Sequence, residues 1–415
     1  MSVHVVVVGA SVAGVTCAEG LRAAGHTGPI TLVGAEPHDP YARPPLSKQV
    51  LAGSWEPARA TLRTAAALRE LDVTLRSGAA ATALDPLAHR VEVGDELLPY
   101  DVLVVATGVE AVRPSFPGAD GVRQLRTLDD ALALRAAWAT ARHVTVIGTG
   151  VLGSEIASAA RRDDREVVVV GRSGRLSAGT VGTLLSDRLL TLHRGNGVDV
   201  RAGVGVRGVA HAGAGAATGA GVRTGAATVF LGDGDSVATD LVVAATGGRP
   251  RTSWLAGSGS GLDVSDGVGC DELGRAAPDV YAIGDVARWR DPRSGRAVRV
   301  EHQTNAVEQA LSVAATITGS AATPAPTPFF WSEVHGVQIQ AAGTFDAALP
   351  LSPWPDDSDV LVQRDGVDTT TGVVGWGAPR AFRRARTELD RPAAEPGSAA
   401  VPAPAPAPAP VPVRA

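Results

Sequence analysis

The chain has 415 residues, of which 45% are apolar and 20% charged, and its formal net charge is −5. This length suits about two to four domains, and the negative charge argues against a nucleic-acid partner held by bulk charge. Lys48 is the only lysine, although lysine and arginine together number 38. Because arginine replaces most surface lysines at little cost, Lys48 is a candidate for a site that needs a compact ammonium.

The cysteine content and the apolar runs exclude several further classes. Cys17 and Cys270 lie far apart without a C-x-x-C motif, which excludes a disulfide scaffold, a cysteine zinc cluster and a redox-active cysteine pair. The apolar start lacks a basic segment and predicts a strand rather than a signal peptide, and no stretch approaches the ~18 apolar residues of a membrane span. We expect a soluble cytoplasmic protein without a membrane partner, and no metal, since the histidines lack ligand spacing.

The first segment, residues 3–36, predicts a strand, a glycine-rich turn, a helix and a second strand. Residues 5–8 are a β-branched run typical of a strand covered on both faces. The helical stretch 12–24 stops at a glycine, and the next strand covers 30–33. The turn is Gly9-Ala10-Ser11-Val12-Ala13-Gly14. It resembles the dinucleotide fingerprint with Ser11 in the middle position, where a small residue still fits beside a phosphate.

The same order of elements recurs over residues 143–172. A strand at 143–147 leads into Gly148-Thr149-Gly150-Val151-Leu152-Gly153, which is a complete fingerprint. A helix carrying 155–162 and a strand at 167–170 follow. Because both copies follow a strand, open a helix and lead to another strand, we predict two dinucleotide-binding domains rather than one.

The ends of the second strands indicate which nucleotide each unit holds. Glu36 follows the first of these strands and is placed to accept hydrogen bonds from ribose hydroxyls, with a solvated turn carboxylate as the alternative. The corresponding strand of the second unit ends Val170-Gly171-Arg172-Ser173, and no carboxylate lies there. Arg172 and Arg175, with Ser173, are candidates for contacting a 2′-phosphate, although a solvated loop is nearly as good an interpretation. These residues lean towards NADPH, and NADH stays open.

The rest of the chain predicts connecting segments, a small third module and a tail. Residues 103–108 and 241–247 each predict a buried strand that ends in a small-residue turn, where the chain crosses between domains. Residues 202–226 predict a weakly ordered hairpin and 321–328 a linker. Residues 329–387 alternate apolar and polar side chains and end in a basic helix. The Pro/Ala run of 391–415 predicts an extended, disordered tail.

Four strings, in this order, carry a family resemblance. Tyr41-Ala-Arg-Pro-Pro-Leu-Ser-Lys48 is followed by Tyr281-Ala-Ile-Gly-Asp285, by Glu301-His-Gln303 and by Phe330-Trp-Ser332. With two dinucleotide units, the chain resembles the FAD-dependent NAD(P)H:ferredoxin reductases, the family of putidaredoxin reductase, rubredoxin reductase and dioxygenase reductase components. The resemblance spans roughly residues 3–390, and the string Gly-Val-Val-Gly-Trp-Gly-Ala-Pro-Arg-Ala-Phe at 372–382 adds to it.

The resemblance implies an α/β fold with two Rossmann-like dinucleotide-binding domains and a small C-terminal α+β domain. It places FAD in a discontinuous domain of residues 1–108 and 247–320, NAD(P)H in 109–246, and the α+β domain in 321–390. The residues that it assigns to FAD are Gly9, Ser11, Ala13, Gly14, Glu36, Arg43, Lys48, Ala81, Arg126, Asp285, Gln303 and Trp331. The candidates for the pyridine nucleotide are Gly148, Gly150, Leu152, Gly153, Glu155, Arg172, Arg175 and Gly247.

The resemblance also assigns roles to particular residues. It places Lys48 beside the reactive N5 edge of the flavin, paired with Glu155, and these two are the candidate catalytic residues. Two prolines before Lys48 stiffen its approach. Asp285 is expected to present its carboxylate to the ribityl chain and to open a helix. Gln303 stands where many relatives carry an aromatic residue, and Gly171 where NADH-using relatives carry an acid.

The resemblance implies that NAD(P)H passes a hydride to flavin N5 and that the flavin then reduces a small iron–sulfur protein, which serves a monooxygenase or dioxygenase. Such partners are small and acidic, and two basic runs are candidates to steer them: Arg288, Arg290, Arg293, Arg296 and Arg299, and Arg380, Arg383, Arg384 and Arg386. The alternative function is a flavin-binding, NAD(P)H-responsive redox sensor with low turnover. Disulfide and membrane quinone reductases fit less well, and the chain is expected to be a monomer or weak dimer.

Overall fold

The computed structural model describes residues 2–177, 183–212, 226–256, 259, 261–292, 295–324, 327–346, 348–366 and 368–389. The α-helices within these ranges are α1 (Val12–Ala23), α2 (Ala65–Glu70), α3 (Leu128–Trp138), α4 (Val151–Arg162), α5 (Thr183–Gly195), α6 (Gln303–Ile317) and α7 (Pro379–Arg386). Among the described helices, none combines the length and apolar character that crossing a membrane requires.

The described strands are β1 (Val5–Val8), β2 (Ile30–Gly34), β3 (Val73–Ser77), β4 (Ala81–Asp85), β5 (Arg90–Val93), β6 (Glu96–Pro99), β7 (Val102–Val105), β8 (Val109–Ala111), β9 (Arg123–Gln124), β10 (His143–Ile147), β11 (Glu166–Gly171), β12 (Val198–Ala202), β13 (Val206–His211), β14 (Ala227–Leu231), β15 (Ser236–Thr239), β16 (Leu241–Ala244), β17 (Gly248–Pro250), β18 (Val268–Cys270), β19 (Arg275–Ala277), β20 (Val280–Ala282), β21 (Ala287–Arg290), β22 (Ala297–Arg299), β23 (Phe329–Val334), β24 (Val337–Gly343), β25 (Leu351–Trp354), β26 (Asp357–Arg364) and β27 (Thr370–Trp376).

The first large sheet has the strand order β19-β20-β7-β1-β2-β3, and only β19 runs antiparallel to its neighbour. Val5 of β1 lies opposite Ile30 and Val102, and all four valines of β1 are buried. A strand covered on both faces needs apolar side chains on both, which is why a continuous valine run forms β1. The strands predicted at 5–8 and 30–33 and the strand predicted to begin the segment 103–108 are confirmed, and so is the helix between the first two.

The second large sheet has the order β12-β11-β10-β16-β9 and is parallel throughout. Ile147 of β10 lies opposite Val170 of β11 and Ala244 of β16. The predicted strands at 143–147 and 167–170 and the helix between them are confirmed. Because parallel strands end at the same edge, the turn after β10 and the loop after β11 lie next to each other.

Smaller sheets connect and extend the two large ones. The chain leaves the first sheet through β8, which pairs antiparallel with β17 on the return. β4, β5 and β6 form one antiparallel sheet, and β13, β14 and β15 another. β13 and β14 fall largely within and just after the hairpin predicted at 202–226, of which 213–225 lie outside the described residues, as does the predicted tail 391–415.

The C-terminal module is an antiparallel sheet with the order β23-β24-β27-β26-β25. Helix α7 packs on it through Phe382, which is 1% exposed and lies against the backbone of Gly375. The structure confirms the predicted fold class and the basic helix that ends this module.

The expectation that Asp285 opens a helix is wrong. Gly284–Val286 form a short 3₁₀ turn, and the chain continues directly as β21. β21 pairs with both β18 and β22, and the ring of Trp289 is buried beneath it. Tertiary pairing of an alternating Ala-Arg-Trp-Arg segment therefore overrides the local helix-start signal. The helix of this region begins later, at Gln303.

The C-terminal sheet contacts α4 and α5 at the turn between β23 and β24. His335 Nε2 lies 3.0 Å from His193 Nδ1, and the backbone N–H of His335 donates to Ser158 Oγ at 2.7 Å. Arg162 and Glu333 form an ion pair at the same contact. The pKa of each imidazole is lowered to about 4, mainly by burial, with smaller contributions from His335 at His193 and from Arg162 and Arg161 at His335. The contact is therefore built for neutral histidines.

This histidine contact predicts acid sensitivity of the fold. Both imidazoles have an ordinary pKa near 6.5 when the chain is unfolded and about 4 when it is folded. The unfolded chain therefore binds more protons as the pH falls from about 6.5 to 4, and stability is lost over that window. The free energy of unfolding, measured with urea, should fall less between pH 7.5 and pH 5.0 for the double variant His193→Gln, His335→Gln than for the native chain. His89→Gln is the control and should keep the native pH dependence; an unchanged dependence in the double variant would contradict this account.

Candidate functional site

Both fingerprint turns open onto one cavity of about 1370 Å³. This exceeds the ~300–1,000 Å³ typical of a pocket for one small ligand. Predicted residues that line it are Ser11, Ala13, Arg43, Lys48, Arg126, Gly150, Leu152, Glu155, Gly247, Asp285, Gln303 and Trp331. The structure thus brings the candidates from both units and from the C-terminal sheet to a single space.

The outer glycines of each fingerprint allow close packing behind the cavity. Gly9 and Gly148 have φ values of +127° and +132°, and a Cβ on either would lie 2.1 Å from a backbone carbonyl oxygen of the neighbouring strand end. A Cβ on Gly14 or Gly153 would lie 1.9 or 2.1 Å from the oxygen of the first glycine of its own turn. Only glycine permits these approaches, which place the helix starts against the strand ends.

The middle positions face the cavity instead. A Cβ on Gly150 would meet nothing within 4 Å, so no protein neighbour explains the glycine. Ser11 and Gly150 are the N-caps of α1 and α4, and neither helix start has a side-chain cap. The free N–H groups of two helix starts therefore line the same space, and a phosphate is the group that such positions bind best.

A carboxylate with three donors lies on one wall of the cavity. Lys48 Nζ lies 2.7 Å from Glu155 Oε2, and the two side chains are 11% and 9% exposed. The hydroxyl of Ser47 donates to the same oxygen at 2.6 Å, and the hydroxyl of Ser332 donates to Oε1 at 2.7 Å. The predicted pairing of Lys48 with Glu155 is present, and both carboxylate oxygens have partners.

The backbone before Lys48 explains how its ammonium is positioned. Pro44–Ser47 form a 3₁₀ turn, and Lys48 closes it with its N–H bonded to the Pro45 carbonyl. The prolines restrict this approach, as the sequence predicts. Lys48 Nζ also lies 5.5 Å from the centre of the Trp331 ring, within the range of a cation–π contact.

The carboxylate of Glu36 contacts two side chains that the sequence did not predict as its partners. Its Oε1 lies 2.8 Å from Arg43 Nη2, and its Oε2 accepts a hydrogen bond from the Tyr41 hydroxyl. Burial raises the pKa of Tyr41, and Glu36 raises it further, so the phenol stays protonated and donates. A carboxylate oxygen can accept more than one hydrogen bond. These contacts therefore leave Glu36 able to accept a hydrogen bond from a ribose hydroxyl as well.

Two guanidinium groups meet on another wall. Arg43 Nη1 donates to the Arg126 carbonyl at 2.6 Å, and Arg126 Nη2 lies 3.3 Å from Asp285 Oδ2. Burial lowers the pKa of Arg126, and the nearby charge of Arg43 lowers it further. Two partly buried cations held side by side are stabilised by an anion, so this wall fits a diphosphate.

His302 is a contact that the sequence interpretation left as structural. Its Nε2 lies 3.2 Å from the backbone N–H of Trp331 and its Nδ1 lies 3.4 Å from that of Thr304. A neutral imidazole accepts at one ring nitrogen only, so one of the two contacts is a hydrogen bond, and the shorter of them joins the ring to β23. Burial lowers its pKa, which favours the neutral, accepting form. Tyr41, Ser47 and Ser332 were likewise assigned no role, although all three lie in the strings that carry the resemblance.

Some predicted residues lie away from the cavity lining. Ala81 is on β4, in the small antiparallel sheet. Arg172 and Arg175 are exposed on the loop after β11. Gly9, Gly14, Gly148 and Gly153 pack behind the cavity, and Glu36 lies behind Arg43.

The thiols are inert and remote. Cys17 is in α1 with no exposed surface, and Cys270 is on β18; neither lines the cavity. Burial raises the pKa of each thiol to about 12. No thiolate is therefore available next to the fingerprint turns. Among the described residues, no group of three or more His, Cys, Asp or Glu could hold a metal ion.

Comparison with known proteins places this site in a family. The family model described as pyridine nucleotide-disulphide oxidoreductase matches residues 3–310. Rhodocoxin reductase of Rhodococcus erythropolis is 36% identical over 82% of this chain and 78% of its own. The ferredoxin–NAD(+) reductase component of the p-cumate 2,3-dioxygenase system of Pseudomonas putida is 35% identical over 83% of this chain and 81% of its own.

The fold agrees with that match. The crystal structure of the covalent putidaredoxin reductase–putidaredoxin complex contains a chain of 30% identity that superimposes with a TM-score of 0.85. The match covers 95% of this chain and 94% of that one. The chain belongs to the pyridine nucleotide-disulphide oxidoreductase family and is an oxidoreductase of its ferredoxin reductase branch.

The flavin and the pyridine nucleotide that this family implies fit the residues present. Each fingerprint offers uncapped helix N–H groups, Gly150 leaves an open approach, and Arg43 and Arg126 supply cations for phosphates. One cavity serves both turns, as electron transfer between two bound groups requires.

Replacing Arg43 should weaken flavin binding. Arg43→Met removes one of the two guanidinium groups and leaves the Glu36 carboxylate without its cation, so we expect about a tenfold or greater loss of flavin affinity. Flavin retained after gel filtration, and fluorescence titration of the flavin-free protein, measure this. Arg90→Met, at an exposed position on β5, is the control, and equal retention in both variants would contradict the assignment.

Proposed function

We propose that the chain is an FAD-dependent NAD(P)H:ferredoxin oxidoreductase that passes electrons from NAD(P)H to a small acidic iron–sulfur protein serving a monooxygenase or dioxygenase. The observation that carries the proposal is the shared cavity: two dinucleotide turns face it, Lys48 and Glu155 pair on its wall, and no thiol reaches it. Disulfide reductases of this family need a cysteine pair at that place, so the electrons must leave by another route.

The relatives indicate that route. Their names describe reductases of ferredoxins and of oxygenase systems, and a structural neighbour was solved covalently joined to putidaredoxin. The absence of a catalytic thiol is consistent with an electron acceptor that is itself a redox protein. FAD, rather than a shorter flavin, is supported by the first fingerprint and by Arg43 and Arg126, because FAD has the diphosphate that such groups bind.

A division into domains accompanies this proposal. Residues 1–108 and 247–320 would hold FAD, 109–246 would hold NAD(P)H, and 321–390 would form the C-terminal domain. The antiparallel pair β8–β17 supports the two crossing points, since it lies where the chain leaves the first large sheet and returns to it.

The protein's own residues would position and polarise the reacting groups. Bound FAD supplies the chemistry, accepting a hydride from NAD(P)H and releasing electrons singly. Glu155, held by Ser47 and Ser332, fixes the Lys48 ammonium at the cavity wall. A fixed ammonium favours negative charge in the group held beside it, without reorganisation during the reaction. Its compact head leaves room that a planar guanidinium would fill.

The two basic runs differ in how free they are to meet a partner. Arg288 pairs with Asp263, and Arg299 with Asp266 and Glu301, which compensates the charge of these two arginines; Arg293 lies outside the described residues. In the second run, Arg380 and Arg383 are exposed on α7, while Arg384 and Arg386 stack on Trp354 and Phe329. Phe329 also lines the cavity. The exposed face of α7 is therefore the docking surface we propose for the acidic partner.

Anaerobic titration with NADH and with NADPH tests the reductase function directly. Either nucleotide should bleach the flavin band, and the reduced protein should then reduce putidaredoxin. No bleaching by either nucleotide would overturn the proposal. Bleaching without transfer to any ferredoxin would favour the redox-sensor alternative.

Replacing Lys48 should slow the first step. Lys48→Met removes the ammonium while keeping a chain of similar length, so flavin stays bound and the stopped-flow rate of bleaching falls about tenfold to a hundredfold. Arg63→Met removes a cation that pairs with Glu19 away from the cavity, and it should leave the rate unchanged. An unaltered rate in Lys48→Met would contradict the role given to Lys48.

Removing two positive charges from α7 should weaken docking of the iron–sulfur partner without slowing flavin reduction. In the double variant Arg380→Gln, Arg383→Gln, the KM for putidaredoxin should rise about tenfold at low salt, and the difference should shrink as salt increases. The rate of flavin bleaching by NAD(P)H should stay native. Arg290→Gln, in the other basic run, is the control; a larger effect there would move the docking surface to that run.

A further inference from the structure

The loop that follows β11 is the position in the second unit where the adenosine ribose of a pyridine nucleotide is recognised. In a dinucleotide fold, the end of the second strand carries an acid for a ribose 2′-hydroxyl or an arginine for a 2′-phosphate. Backbone bonds join this loop to the fingerprint turn: Gly148 N–H donates to the Val170 carbonyl at 2.7 Å, and Ser177 N–H donates to the Thr149 carbonyl at 2.8 Å.

The strand end is a glycine in both units, Gly34 and Gly171, and the strand register places Ser173 where the first unit has Glu36. A Cβ on Gly171 would lie 2.6 Å from Thr149 Cγ2 and 2.9 Å from Thr149 Oγ1. Thr149 belongs to the fingerprint turn and is 7% exposed, so its side chain has little room to move. The segment 171–177 contains no acidic residue. The site therefore lacks the group that would accept the 2′-hydroxyl of NADH and repel a 2′-phosphate.

The loop after β11 carries two arginines instead of an acid. Arg172 and Arg175 are both exposed, and neither forms an ion pair within the part of the chain that the structure describes. The nearest cation on the neighbouring strand, Arg201 of β12, is occupied by Asp199 and Asp235. Among the described residues, the charge of this loop therefore has no carboxylate partner.

The loop is held in a defined shape. Gly203 N–H donates to the Ser173 carbonyl at 2.9 Å, and Val204 N–H donates to the Gly171 carbonyl at 3.0 Å. The Arg175 N–H donates to Ser173 Oγ at 3.2 Å, which leaves the hydroxyl proton of Ser173 free to donate outward. The stem of Arg172 passes over Gly205, whose missing Cβ would lie 3.3 Å from Arg172 Cγ. Positions held in this way lose little entropy on binding an anion.

We propose that Arg172, Ser173 and Arg175 form a subsite for the 2′-phosphate of NADP(H), so that NADPH is the preferred electron donor. This inference rests on the proposed function, which leaves the donor open. Arg172 is the specificity-determining residue, since its position directly follows the strand end, and Ser173 and Arg175 complete the charge-assisted hydrogen bonds.

Binding of the oxidised nucleotides tests the subsite without turnover. Isothermal titration of the flavin-loaded protein should give an NADP⁺ affinity about tenfold or more above that for NAD⁺, with the ratio falling as salt increases. Arg172→Gln should lower NADP⁺ affinity about tenfold and change NAD⁺ affinity much less. Arg175→Gln should likewise lower the affinity for NADP⁺ more than the affinity for NAD⁺. Arg194→Gln, at an exposed site on α5, should change neither.

Equal affinity for the two nucleotides, or equal loss of both in Arg172→Gln, would overturn the subsite while leaving the reductase function intact. Binding of neither nucleotide would overturn the subsite and the nucleotide domain together. Failure of the proposed function has a different signature, because NADP⁺ would then bind with the expected preference while neither NADH nor NADPH led to ferredoxin reduction.

Discussion

The Glu155 carboxylate is the point on which the site depends. Its two oxygens accept hydrogen bonds from Ser47, Lys48 and Ser332, and these donors come from the turn beside the first fingerprint and from the C-terminal sheet, while Glu155 itself is on the helix of the second fingerprint. A carboxylate that is only 9% exposed is costly without partners, so the three segments are held together by the need to satisfy one charge. The only lysine of the chain thereby gains a fixed place on the cavity wall.

The rest of the cavity is arranged around anions. Two uncapped helix starts face it, and Arg43 and Arg126 lie side by side with Glu36 and Asp285 behind them. Each of these arginines has a carboxylate partner, but burial and the charge of Arg43 still lower the pKa of Arg126. A nucleotide phosphate beside Arg126 would stabilise its charge. The same chain keeps thiols away from the cavity, which separates it chemically from the disulfide reductases of its family.

The parallel sheets, the two fingerprints and the importance of Lys48 could be predicted from the sequence, because valine runs, glycine spacing and a residue count are local signals. The prediction of a helix after Asp285 was wrong, since pairing of β21 with β18 and β22 outweighed a local helix-start signal. The partners of Glu36 and the hydroxyls on Glu155 could not be predicted from spacing: Ser332 lies 177 positions from Glu155 and reaches it only through folding of the C-terminal sheet. Gly171 is visible as a departure in the sequence, but only the strand register shows that Ser173 stands where the first unit has Glu36.

A double-mutant cycle on Lys48 and Glu155 tests the central claim most directly. The rate of anaerobic flavin bleaching by NADPH would be measured for Lys48→Met, Glu155→Gln and the double variant. If the two side chains act as one pair, the double variant is no slower than the slower single variant, and the coupling energy is about 1–3 kcal/mol. Strictly additive effects would contradict the account, because they would mean that Lys48 and Glu155 act separately.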